Sequence, residues 1–70
     1  MSVNVDARGL SCPQPVILTR QAIKRGEYPI VVVVETVTSR ENVRRMSEKQ
    51  GCTVTIREMD GEFELTLTRE

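Results

Sequence analysis

Hydrophobic and polar positions along the chain fall into a sequence of distinct periods. Val3-Asn4-Val5-Asp6 alternates apolar and polar, as a short half-buried strand does. After a connection through Ala7-Arg8-Gly9-Leu10-Ser11, the apolar residues Val16, Ile17, Leu18, Ala22 and Ile23 recur at three- and four-residue spacings. Arg20, Gln21, Lys24 and Arg25 are left to a solvated face. Pro13 and Pro15 stand where a first helical turn tolerates proline, and Gly26 supplies a stop, so a helix is expected from about Pro15 to Arg25. Ile30 to Glu35 is a β-branched run, the mark of a central strand. Thr38-Ser39-Arg40-Glu41 matches a capping box with Thr38 as N-cap. A second helix is expected from there to about Gln50, ending at Gly51 and packing through a thin stripe of Val43, Met46 and the stem of Lys49. Cys52 to Glu58 and Glu62 to Thr68 each alternate with period two around Asp60-Gly61, a strong hairpin turn.

The element order is therefore strand, helix, strand, helix, hairpin. A short connection through the first helix makes the first two strands parallel neighbours. Cys52, Val54 and Ile56 then share a face with Phe63, Leu65 and Leu67, both helices lie on that face, and the other side of the sheet is open to water. The expected fold is α+β: a two-layer α/β sandwich, βαβαββ, with a mixed four-stranded sheet.

Length and composition narrow the function. Seventy residues make one domain, and Leu, Ile, Val and Phe number 19, enough to expect a folded chain. The longest apolar run, Ile30 to Val34, is far short of the ~20 residues that span a bilayer, and Met1-Ser2-Val3-Asn4 has no secretory character. A cytoplasmic protein with reduced thiols is expected. With no His, there is no ready proton shuttle, no Ser-His or Cys-His nucleophile and no imidazole ligand. Two cysteines separated by 39 residues do not make a closed zinc site, and no phosphate-binding glycine loop is present. Ten basic and ten acidic residues with only two aromatics argue against a nucleic-acid binder. The reactive group that remains is a thiol, and no metal or cofactor is expected.

Cys12 stands at or just before the first turn of the first helix, where unpaired amides and the helix dipole stabilise a thiolate. Arg8 is a candidate second positive charge. Position alone leaves Cys12 open between a reactive thiolate and a small buried hydrophobe. Cys52 alternates onto the apolar face and reads as structural. Charge is unevenly spread: residues 20–49 hold seven basic and four acidic side chains, residues 50–70 two and five. Arg40, Arg44 and Arg45 are candidate partner-docking residues, with a solvated helix face as the plainer reading.

Asp6-Ala7-Arg8-Gly9-Leu10-Ser11-Cys12-Pro13-Gln14-Pro15-Val16 resembles the signature of the TusA/SirA/YedF family of small sulfur-carrier proteins, which has a Cys-Pro-x-Pro motif at the start of its first helix. The resemblance continues through Thr19 and Ala22 and resumes at Glu41-Asn42-Val43-Arg44-Arg45 and Gly51, closest to the YedF-like branch. It implies the same βαβαββ sandwich and a carrier rather than a self-contained enzyme. Cys12 would accept sulfur as a persulfide from a cysteine desulfurase or another sulfurtransferase and hand it to an acceptor protein. The family's routes include tRNA thiolation, molybdenum-cofactor synthesis, sulfur oxidation, thiosulfate import beside a membrane transporter, and selenium metabolism. By position, Pro13 and Pro15 fix the helix start, Arg8 and Gly9 shape the loop, and Asp6 holds its base.

Three other functions compete. Cys12 and Cys52 could form a regulatory disulfide, excluded by a Cα separation above about 7 Å. The chain could be a nucleic-acid module, an idea resting on fold analogy alone. It could also be a regulatory protein that docks without using its thiol.

Overall fold

The computed structural model describes residues 3–10, 14–26 and 28–69. Six elements run in the order β1 (Val3–Asp6), α1 (Gln14–Arg25), β2 (Ile30–Val34), α2 (Val37–Lys49), β3 (Thr53–Met59) and β4 (Glu62–Thr68). The four strands form one sheet in the order β1-β2-β4-β3. β1 and β2 are parallel, while β4 is antiparallel to both β2 and β3, so the sheet is mixed, as expected.

Register decides which residues meet. Val32 lies between Val5 and Leu65, Val34 pairs with Phe63, and Ile30 with Val3 and Leu67. Across the hairpin, Val54 pairs with Leu67 and Ile56 with Leu65. These side chains share the helix-side face, and Ile30, Val32, Val34, Leu65 and Leu67 are fully buried there. The opposite face carries Asn4, Asp6, Thr55, Arg57 and Thr66, with Val31 and Val33 half-buried among them. The hairpin turn has positive φ at both Asp60 (47°) and Gly61 (79°), the type I′ geometry that matches the twist of the flanking strands.

Helix α1 starts at Gln14, one residue ahead of the expected Pro15, and buries Pro15, Thr19, Ala22 and Ile23. This differs from the apolar stripe expected from residue type, because Ile17 is 42% exposed whereas Thr19 is fully buried. Thr19 tolerates the core because its Oγ1 donates to the Pro15 carbonyl at 2.8 Å, so no hydroxyl is left unpaired. Positions 15, 19 and 22 lie one turn apart on one stripe, and Ile17 falls outside it.

Helix α2 is capped two residues earlier than expected. Its N-cap is Thr36, whose side chain accepts the Ser39 N–H at 3.1 Å, and Thr38 is already inside the helix. Glu41 does not fold back onto the first turn. Arg44 donates to it from one turn on, at 2.7 Å, and Arg40 at 3.2 Å, so ion pairs claim the carboxylate that a capping box would need. The buried stripe is Ser39, Val43 and Ser47, with Met46 half-buried and Lys49 exposed. Small serines at four-residue spacing let α2 sit close over α1, β3 and β4, which a long lysine stem would prevent.

Candidate functional site

The segment between β1 and α1 leaves the sheet at the carboxyl end of β1 and is tied to three strands. Ala7 is buried and donates its N–H to the Val33 carbonyl at 2.9 Å, extending the parallel ladder by one residue. Beyond it, Asp6 and Arg8 form a two-pronged ion pair. Arg8 Nε donates to Asp6 Oδ1 and Nη2 to Oδ2, both at 2.9 Å, and the Arg8 backbone N–H adds a third bond to Oδ1 at 3.1 Å. Arg8 Nη1 also donates to Glu62 Oε2 at 3.2 Å. The Arg8 N–H to Asp6 bond closes an Asx turn, a local way for Asp to bend the chain just after a strand.

Gly9 follows with φ +76°, a left-handed conformation, and its N–H donates to Glu35 Oε1. Leu10 N–H closes back on the Ala7 carbonyl at 3.4 Å. The chain is next described at Gln14, where α1 begins. Cys12 and Pro13, like Ser11, lie outside the described residues. Pro15 is buried and anchors the helix start through Thr19. Proline at its second position removes one amide donor from the first turn, and no acidic side chain stands in that turn.

Electrostatics explain the shape of this loop. The Arg8 guanidinium holds the Asp6 carboxyl down to about 2, below its ordinary 3.8, through side-chain hydrogen bonds first and the backbone bond second. In return the two carboxylates Asp6 and Glu62 hold Arg8 more firmly protonated. The positive charge of Arg8 is thus spent on two acids. Because the folded value for Asp6 lies below its unfolded one, the clasp contributes fully above about pH 4 and is lost as pH falls towards 2. A carboxyl-carbon NMR titration should give Asp6 a midpoint near 2; a midpoint near 3.8 would mean that Arg8 does not hold it.

Reading residue types alone missed Glu35 and Glu62, both of which hold the loop. Register would have found them: Asp6 pairs with Val33, which sets Arg8 level with Glu35, and Val34 pairs with Phe63, which sets Glu62 just past the end of β2.

The three candidate docking arginines differ. Arg40 lies over the Phe63 ring, 4.7 Å from its centre, and bonds to Glu41. Arg44 is paired with Glu41 at 2.7 Å and Glu48 at 3.0 Å, and chiefly through Arg44 the Glu41 carboxyl is held below its usual range. Arg45 is exposed, with no ion pair among the described residues. Among the described residues the helices also expose Arg20, Lys24, Arg25 and Lys49 without ion pairs, whereas β3, β4 and their turn expose Arg57 and Arg69 as well as Glu58 and Asp60, so the excess of unpaired positive charge lies on the helices. Three apolar side chains stand exposed: Leu10 (39%) in the loop, Ile17 (42%) in the first turn of α1, and Val37 (55%), two residues after the Glu35 that holds Gly9.

Cys52 is buried, with its sulfur 3.5 Å from the Tyr28 hydroxyl. That contact, with burial, raises the Tyr28 pKa. The position agrees with the structural reading of Cys52.

The family model for sulfurtransferase TusA matches residues 3–69, nearly the whole chain. The chain belongs to the TusA family. Among solved structures it is similar to a SirA-like protein from Desulfitobacterium hafniense, with 31% identity, a TM-score of 0.86 and 100% of both chains covered. No curated protein sequence matches it significantly. The TusA-family assignment and the SirA-like fold agree with the two-layer sandwich read from the pattern, and they give the chain a sulfur-carrier role in outline. No helix among the described residues is long and apolar enough to cross a membrane.

Proposed function

We propose that this TusA-family chain carries sulfur as a persulfide on Cys12 and relays it from a donor protein to an acceptor protein in the cytoplasm. The observation that carries the reading is the family match over residues 3–69, which includes a cysteine two residues ahead of a helix whose first turn has no acid. In loading, the Cys12 thiolate attacks the outer sulfur of a donor persulfide. A new S–S bond forms, the donor's S–S bond breaks, and the donor leaves as a thiolate, with no net oxidation. In delivery an acceptor thiolate attacks the outer sulfur in turn, and Cys12 leaves as a thiolate. A persulfide is more acidic than a thiol, so the positive end of α1 favours holding it as the anion.

The remaining site residues take positioning roles. Asp6, Arg8 and Gly9 set the path of the loop, and Pro13 and Pro15 set the start of the helix. Docking falls to exposed side chains: the apolar Leu10, Ile17 and Val37, and Arg45, the least committed of the three candidate arginines. A cysteine desulfurase or another sulfurtransferase is the donor class. A membrane thiosulfate transporter is a further candidate partner, and direct nucleic-acid binding is not expected. Glu41 to Arg45 and Gly51 support the YedF-like branch.

The test is intact-protein mass after incubation with a cysteine desulfurase and free cysteine, on the native chain and on Cys12→Ser. A gain of one sulfur that dithiothreitol reverses is expected on the native chain alone. Reversal matters, because two added oxygens weigh nearly the same and stay. Equal gain on both proteins would move the site away from Cys12. No gain from the desulfurase, nor from thiosulfate with a sulfurtransferase, would overturn the carrier reading in favour of docking without thiol chemistry.

A further inference from the structure

β1 is an edge of the sheet, with β2 on one side only. In its ladder with β2, the Val3 N–H donates to the Pro29 carbonyl at 3.1 Å and the Ala7 N–H to that of Val33 at 2.9 Å. Parallel pairing uses alternate residues, so Val5 belongs to the same row, and Asn4 and Asp6 turn their backbone N–H and C=O groups outward. Among the described residues no strand answers them. Beside this edge, between β1 and α1, lies a groove of ≈ 270 Å³ with Val3, Val5, Leu18 and Ala22 on its walls and Gln21 and Arg25 at its rim. Arg25 is exposed and has no ion pair among the described residues.

We propose that this edge is a docking site for an extended segment of a partner protein, which adds a fifth strand beside β1, seats an apolar side chain in the groove and sets a carboxylate against Arg25. A row of outward donors and acceptors is satisfied by another extended backbone, whereas a helix has spent those groups on itself. The side-chain period of two then places alternate residues of the segment over Val5 and Leu18. The sign of the charge follows from what the groove leaves unpaired. Asp6 also lines the groove, but Arg8 holds both of its carboxylate oxygens, whereas Arg25 has no ion pair among the described residues and is the charge left for an incoming acid. A second copy of this chain fits less well. Edge-to-edge pairing would bring another Leu18, Gln21 and Arg25, and an Asp6 already held by its own Arg8, along a strand of only four residues.

The site is independent of what Cys12 carries, and its test reads binding alone. The probe is a capped peptide, Thr-Val-Thr-Val-Thr-Glu-Thr, compared with the same peptide carrying Lys for Glu. Titration into the ¹⁵N-labelled chain should move the Asn4 and Asp6 amides saturably, with the Glu peptide binding about threefold or more tighter than the Lys peptide. Asn4→Pro removes an outward donor where an edge strand accepts proline, and should weaken binding by about tenfold or more with the fold intact. Arg25→Glu, a surface change, should reverse the preference between the peptides. The proposal is overturned if no amide moves saturably, if the shifts fall on the β3 edge instead, or if both variants bind as the native chain does. Broadening of Asn4 and Asp6 with protein concentration and no peptide would overturn it too, since a second copy would then be the occupant.

Discussion

Replacing Leu65 by Ala should remove a large part of this protein's stability, about 2–5 kcal/mol, while Ile17→Ala should change it by no more than about 0.5 kcal/mol. Both are large aliphatic residues in regular elements, and by residue type either qualifies for the core. Leu65 is fully buried in the middle of β4, paired with Val32 on one side and Ile56 on the other, so truncation opens a cavity that three fixed strands cannot close. Ile17 is 42% exposed, and the better helix propensity of alanine offsets what little burial is lost. A chain of 70 residues has roughly 4–10 kcal/mol to lose in total, so the Leu65 variant gives up about half of its margin. Urea unfolding followed by circular dichroism checks both: a large drop in the Leu65→Ala midpoint against an unmoved Ile17→Ala midpoint is expected. Equal drops would mean that α1 buries a different face.

The strands were legible because two independent signals agreed in each. Val3 to Asp6 and Glu62 to Thr68 alternate strictly, Ile30 to Val34 is uninterruptedly β-branched, and Asp60-Gly61 fixes the hairpin register on its own. The helices were legible in number but not in face. Residue type favours Ile17 over Thr19 for burial, yet the face is set by where Pro15 docks, and the Thr19 hydroxyl becomes apolar in effect once it bonds back to Pro15. At the start of α2, Thr36 and Thr38 compete as caps. The apparent box at Thr38 depends on Glu41 reaching backwards, whereas Arg44, three residues further on, draws it the other way. Local patterns name the candidates in such cases, and tertiary neighbours choose among them.

The candidate site divides similarly. The Cys-Pro-x-Pro segment and its helix could be read from the chain, and so could Asp6 and Arg8. Their partnership with each other was not, because a field-supplying Arg8 and a clasped Arg8 are identical in sequence. Glu62 turns one into the other, and it lies 54 residues away. The charge asymmetry was legible in total, but its distribution depends on pairing: Glu41 and Glu48 take up Arg44 and leave Arg45 exposed.

Gly9→Val should slow the loading of sulfur onto Cys12 by about tenfold or more while leaving the sheet and both helices in place. Gly9 sits at φ +76°, which a β-branched residue occupies only with strain of about 1–3 kcal/mol, and nothing lies within 4 Å of where its Cβ would stand. The obstacle is therefore backbone conformation and not space, and the loop will relieve it by turning Gly9 to negative φ. That rotation takes the Gly9 N–H away from Glu35 and shifts the path of the chain three residues before Cys12. Melting should fall by only a few degrees, because among the described residues of the loop Ala7 alone belongs to the core. Glu35→Gln keeps an oxygen acceptor for the same N–H and should load at nearly the native rate, whereas Glu35→Ala should fall between the two. Loading rates from timed mass spectra, set beside melting curves, separate the possibilities. If Gly9→Val loads like the native chain, the path of residues 7–10 does not position the thiol, and the clasp of Asp6, Arg8 and Glu62 is a device for stability alone.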